Sequence, residues 1–273
     1  GSGMARAAAP GGRGAVRARA GGRLASNRRR ERDRVKLYIF TVPKAGTYFL
    51  ADFIGRLGFE NTGFHVSANS FLNTKKLDLQ TNTRFPGKAK ENRICMRLLR
   101  EVGHGQLAFG HLSVPILSPL FPAFSFVCAY RHPRTTLVSE FVDFRFRRLD
   151  LPQFSAQEIP DDRHALCTDL ERRAQGHLGP LSEMIAVALL RNEDCYAHLT
   201  ADRAYMLNFD KLLQSPGECR ELCAWLGLDP ETGPPALDQT RATDTKTNAT
   251  GIELDREALW SDRARELYAR SGA

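Results

Sequence analysis

The chain has 273 residues, 39 Lys and Arg against 31 Asp and Glu, long enough to bury a full core, and nothing in it marks a second domain. The formal charge of +8 is carried by residues 1–34, which hold ten Arg and two acidic residues and leave 29 basic and 29 acidic residues in the rest. A net-neutral body does not argue for a nucleic-acid partner, whose binding rests on many Lys and Arg contacts to phosphate.

No apolar run reaches the ~18 residues of a membrane span. The six cysteines, Cys95, Cys128, Cys167, Cys195, Cys219 and Cys223, show no CxxC spacing and follow no secretory signal. Neither a disulfide framework nor a zinc site is expected, and a soluble, reducing, cytoplasmic setting is. Cys219 and Cys223 fall four apart on a predicted helix and read as two small core residues in preference to a metal pair.

In chain order, residues 1–34 are Gly, Ala and Arg with almost no large apolar side chain. Such a tail cannot bury enough surface to order itself. Gly1-Ser2-Gly3 reads as an expression remnant. The Arg-rich start also suits a transit peptide or a nucleic-acid arm, with a merely solvated segment preferred. The domain proper is residues 35–273, opening with a predicted buried strand, Val35–Phe40. A helix follows, with Phe49, Leu50, Phe53, Ile54 and Leu57 at helical spacing and Gly58 as its C-terminal stop.

Residues 60–105 are mixed in character, with one helix predicted around Glu91–Val102. Strands are predicted over Gln106–Gly110 and Phe124–Tyr130, the second apolar on both faces as a central parallel strand requires. A helix bearing Leu137, Val138, Phe141 and Phe144 comes next, then a polar stretch over 149–180 and a helix over Leu181–His198. Ala204–Asn208 forms a further strand, and Pro216 begins a helix that ends at Ala224-Trp225-Leu226-Gly227. Strands alternating with helices predict a single α/β domain with a mainly parallel central sheet flanked by helices.

In an open parallel sheet, ligands sit beyond the carboxyl ends of the strands. Three strands end on a charged or titratable residue there: Lys44, His111 and Arg131. The first junction, Thr41-Val-Pro43-Lys44-Ala45-Gly46-Thr47-Tyr48, puts Gly46 and Thr47 at a helix N-terminus. Free N–H groups and the helix dipole favour a phosphate at that position, and Lys44 adds a charge. It is not the Walker pattern, because the lysine precedes the glycine. Its bland counterpart is an ordinary loop Lys with a turn Gly. The second junction, about ninety residues on, carries Arg131 at a strand end and Ser139 eight residues later in the helix. A planar guanidinium suits a terminal phosphate, and the bland counterpart is a surface Arg and a helix Ser.

Together these residues resemble the sulfotransferase family that uses 3′-phosphoadenosine 5′-phosphosulfate (PAPS). Its P-K-S-G-T-T-W motif appears as Pro43-Lys44-Ala45-Gly46-Thr47-Tyr48-Phe49, and its R-x7-S motif as Arg131 to Ser139. The late Phe209-Asp210 and Trp225-Leu-Gly-Leu segments also match, so the resemblance covers residues 35–230 in outline. It implies a P-loop-NTPase-like sulfotransferase fold and a PAPS site released as 3′,5′-ADP without a metal. In that reading Lys44, Ala45, Gly46, Thr47 and Tyr48 surround the 5′-phosphosulfate. Arg131 and Ser139 hold the 3′-phosphate, and Phe49 and Phe209 contact the adenine.

His111, in Gly110-His111-Leu112, resembles the family's catalytic histidine, with His104 and His132 as weaker rivals and His65 as a candidate for the acceptor pocket. The family's late R-K-G-x-x-G is only loosely present around Lys246, which implies a 3′-phosphate contact there, with Arg241 as the alternative. Ala45 lacks the motif's hydroxyl, and Tyr48 stands where the family has Thr.

The activity implied is sulfuryl transfer to a hydroxyl or amine of a small-molecule or glycan acceptor, with Lys44 stabilising the leaving nucleotide and His111 as base. Phe64, Phe71, Phe85, Phe144 and Phe146 suit an aromatic or lipid-like acceptor, and Arg145, Arg147 and Arg148 an anionic or glycan one. The sequence does not choose between them, nor does it fix an oligomeric state. A P-loop nucleotide kinase and a non-enzymatic α/β binding module are the rival readings.

Overall fold

The computed structural model describes residues 35–67, 70–112, 114–150, 167, 168, 170, 171, 203–244 and 255–270. The tail, most of the 149–180 stretch, the helix expected over Leu181–His198 and Lys246 lie outside the described residues.

Six strands form one sheet in the order β3-β2-β4-β1-β5-β6. They are β1 (Lys36–Thr41), β2 (Glu60–Ser67), β3 (Ser70–Asn73), β4 (Gln106–Gly110), β5 (Phe124–Tyr130) and β6 (Ala204–Asn208). Every neighbouring pair is parallel except β2 with β3.

The alternation of β1 explains why helices cover both faces. Leu37 and Ile39 pack with α1 (Thr47–Arg56), α7 (Pro216–Trp225) and α8 (Gly233–Ala242) through Phe53, Ile54, Leu222 and Leu237. Tyr38 points the other way, among Leu98 and Leu99 of α3 (Cys95–Glu101) and Val114 and Leu117 of α4 (Val114–Leu120). Each such Leu or Phe contributes about 1.5–3 kcal/mol by leaving water. The domain is thus α/β, a mostly parallel sheet flanked by helices, as the sequence predicted.

A third cluster gathers beyond the carboxyl ends of the strands. Val42 and Ala45 of the loop after β1 meet Leu137 and Phe141 of α5 (Pro133–Val142) and Trp260 and Ala264, the last in α9 (Asp262–Arg270). Helix α5 continues directly into a π turn, Asp143–Arg147.

Beside β6, α6 (Phe209–Gln214) leads into α7, whose Cys219 and Cys223 are fully buried core residues. A Cβ on Gly233 would stand 2.6 Å from the Cys219 sulfur and 2.7 Å from that of Cys223, so α8 starts directly on the two thiols.

Among the described residues, two strands and five helices went unforeseen. Residues 60–73 hold β2 and β3, and α2 (Leu79–Arg84) is capped by Asp78, which accepts the Thr81 N–H. Helices α4, α6, α8 and α9 were not predicted, and α3 is shorter than the helix expected over Glu91–Val102.

The connection from β1 runs to the β2 side of the sheet and that from β5 runs to β6, opposite directions from adjacent strands. A crevice opens where connections diverge in this way.

Candidate active site

The loop after β1 is wound tightly. Lys44 holds a left-handed backbone, φ 68°, and Gly46 another, φ 82°; such a conformation in a residue with a side chain persists only where its surroundings enforce it. The Ala45 N–H donates to Val42 O at 3.0 Å, and the Ala45 methyl is fully buried in the core. Ala45 therefore serves the loop as packing, and the missing hydroxyl falls on the core side.

Helix α1 then begins, with no side-chain cap on Gly46 and the Leu50 N–H closing the first turn on Gly46 O. The N–H groups ahead of Leu50 have no acceptor within the helix. They stand at the positive end of the dipole. Gly46 must be glycine for a second reason, since a Cβ there would stand 2.3 Å from the Phe209 ring. Phe209 in turn meets Phe49 edge-on at 5.5 Å. Both rings lie in the core, 7% and 3% exposed.

A cavity of about 410 Å³ opens in front of this helix start. Lys44, Gly46, Thr47, Tyr48, His111 and Ser139 all line it, so six of the residues singled out from the sequence converge. Lys44 Nζ lies 3.1 Å from Asp143 Oδ2 in the π turn, and Arg147 Nη1 lies 3.7 Å from the other oxygen. Burial pushes the Lys44 ammonium below its usual range, and Asp143 works against that fall. One carboxylate thus serves two cations, Arg147 buried and Lys44 partly exposed.

His111 is held from several directions. Its N–H donates to Val66 O at 2.8 Å, and the next N–H, Leu112, donates to Tyr38 Oη at 3.2 Å. Gly110 makes this approach feasible, because a Cβ there would stand 1.9 Å from Val66 O. His111 Nδ1 lies 2.8 Å from the Thr41 carbonyl oxygen, an acceptor only, so Nδ1 carries the proton and Nε2 keeps its lone pair. Thr41 Oγ1 is 3.3 Å from the same nitrogen and 2.6 Å from Thr47 Oγ1. Burial lowers the His111 pKa and nearby Lys44 adds to the fall, against the opposing pull of the Thr41 carbonyl. The imidazole is neutral at pH 7.

His65 lines the same cavity, with Nδ1 3.0 Å from Tyr48 Oη and its ring 5.0 Å from that of His111. Among the described residues, two further histidines lie elsewhere. His132 caps α5 by accepting the Arg134 N–H, and His104 precedes β4 at the opposite end of the sheet.

Arg131 is turned toward Asp210. Its Nε donates to Oδ1 at 2.9 Å, the His132 N–H donates to Oδ2 at 2.9 Å, and the guanidinium lies 5.3 Å from the Phe209 ring centre. It does not line the cavity that Ser139 lines. Beside it stands Arg256, which sequence reading missed. Arg256 is exposed, yet desolvation and the Arg131 charge both pull its pKa down, and its charge is felt in turn by Arg147.

The segment carrying Arg256 is fastened to α5 by Arg134, which pairs with Glu257 at 2.6 Å and lies 4.8 Å over the Trp260 ring. Among the described residues no carboxylate pairs with Arg256. Arg241, the alternative to Lys246, is occupied at the protein surface by the Leu213 carbonyl and by Asp238. The only sequence signal for Arg256 is an Arg in a late polar segment.

No family model matches this sequence, and no curated protein does. Among solved structures, the chain is similar to the sulfotransferase domain from the curacin biosynthetic pathway. The TM-score is 0.43 at 11% identity, with 86% of this chain and 96% of that chain covered.

Proposed function

We propose that the protein transfers a sulfuryl group from PAPS to a hydroxyl or amine of a small acceptor. The observation carrying this reading is the convergence of Lys44, the open N-terminus of α1 and the Nε2 lone pair of His111 on one cavity. The donor set fits a ligand with two anionic ends. Uncapped N–H groups and Lys44 suit one end, while Arg131 and Arg256, which stand outside the cavity that Ser139 lines, suit the other.

Held by these residues, PAPS would supply the sulfuryl group to an acceptor hydroxyl or amine, with 3′,5′-ADP as its leaving group. Lys44 Nζ and the N–H groups of Thr47 and Tyr48 present positive charge where negative charge gathers. His111 Nε2 takes the acceptor proton, and the Thr41 carbonyl steadies the resulting imidazolium through Nδ1–H. A lowered pKa keeps that base free of its proton at neutral pH.

Thermal shift with three nucleotides tests this reading. 3′,5′-ADP is expected to stabilise the protein by ~2.7 kcal/mol at 100 times its dissociation constant, well beyond 5′-ADP. Equal stabilisation by both would remove the 3′-phosphate assignment. A preference for ATP with magnesium would favour the kinase reading, and no nucleotide effect the binding module.

A further inference from the structure

The far side of the cavity differs from the helix start. It is built by Ser70 and Leu72 of β3, Pro86, Gly87 and Lys90 of the following segment, and Phe144 and Arg148. Two of the three arginines that suggest an anionic acceptor in the sequence are internally engaged. Arg147 is 4% exposed against Asp143, and Arg148 makes two bonds to Asp150, at 2.6 and 2.9 Å. The aromatic alternative also shrinks, since Phe71 and Phe146 are core residues and only Phe144 of the five phenylalanines lines the cavity.

What remains at the mouth is Lys90. Its ammonium is exposed and pairs with no carboxylate among the described residues. Its backbone is fixed by a bond from its N–H to Gly87 O and by a bridge to Leu72 of β3. The two carboxylates that line the cavity, Glu140 and Asp143, both come from α5 and its π turn on the Lys44 side. The arm forming the far wall, residues 74–90, carries five basic residues and a single acidic one. That one, Asp78, is taken up by the Thr81 N–H at 2.9 Å and the Thr81 hydroxyl at 2.7 Å. The arm therefore presents a positive field to anything entering.

We infer that the acceptor is a small hydroxy compound bearing its own anionic group, with Lys90 holding that group while the hydroxyl faces His111. Its body lies against Leu72, Pro86 and Phe144. The inference rests on the sulfuryl-transfer reading for the word acceptor, but the anion subsite stands on Lys90 and the arm.

The probes are 4-hydroxybenzoate and its neutral amide, 4-hydroxybenzamide, titrated by thermal shift against the full chain with and without 3′,5′-ADP. The carboxylate is expected to bind about fivefold more tightly than the amide, the scale of one exposed ion pair. In Lys90→Gln the two are expected to bind alike, with the nucleotide shift retained as proof of folding. Equal binding of the probes to the wild type, binding of neither, or a preference that survives in Lys90→Gln overturns the inference. Failure of the transfer reading shows separately, as the absence of any 3′,5′-ADP shift while the Lys90-dependent preference persists.

Discussion

The two walls of the cavity are built on opposite principles. On the Lys44 side, backbone and side chain are over-determined: two left-handed residues in three, a carboxylate shared by two cations, and a histidine with both backbone and ring bonded. On the Lys90 side, a short antiparallel edge strand and a 3-10 turn carry an exposed lysine with no ion-pair partner among the described residues. The first wall is arranged as a fixed site for charge, and the second as a surface that has only to recognise. The contrast teaches where substitutions will be felt.

The largest effect is expected at the proposed base. His111→Ala is predicted to lower turnover by about 10²–10⁴-fold and to leave the 3′,5′-ADP thermal shift in place. Turnover near the wild-type level would remove chemistry from the rigid wall altogether.

A matched pair of glycines tests rigidity directly, because Gly46 and Gly87 face the same cavity from opposite walls. At Gly46 a methyl meets the Phe209 ring at 2.3 Å with φ +82°, whereas at Gly87 the nearest atom, Asp150 Oδ2, is 3.5 Å away. Gly46→Ala is expected to cost about 2–3 kcal/mol in urea unfolding, and Gly87→Ala to stay within about 0.5 kcal/mol. Comparable losses at both would erase the distinction.

The smallest effect is a matter of pH. In the proposed reaction Lys44 acts with its proton on, and Asp143 is what holds its depressed pKa up. In Asp143→Asn that pKa falls further, so the alkaline limb of the pH–rate profile is expected to move to lower pH. The acid limb, set by His111 lying below its ordinary 6.5, is expected to move little. A pH profile unchanged on both limbs would detach Asp143 from Lys44.

The same contrast governs what could be read from the sequence. Strands β4, β5 and β6 were predicted to the residue and β1 to within one, because each is a short apolar run between turn signals. Strand β2 escaped because Glu-Asn-Thr-Gly-Phe-His-Val-Ser has no clean alternation. Its register shifts between Asn61 and His65, and the Asn61 and Thr62 side chains accept the Gly63 and Phe64 N–H groups. Helix α4 escaped through Pro115 and Pro119.

In the candidate site, Lys44 and His111 were legible because strand ends are sequence positions with a structural meaning. Asp143, Arg256 and Lys90 acquire meaning only from neighbours distant in the chain. Phe49 and Phe209 read as base-stacking groups from the motif alone, and the structure puts them edge-to-face beneath Gly46.

The packing of Gly233 on Cys219 and Cys223 makes those thiols a natural clock. They are sealed as long as α8 starts against α7, while Cys95 and Cys167 are partly exposed. An alkylating reagent therefore reaches Cys219 and Cys223 only at the frequency with which the two helices part, and the lag behind Cys95 measures that opening without any engineered label.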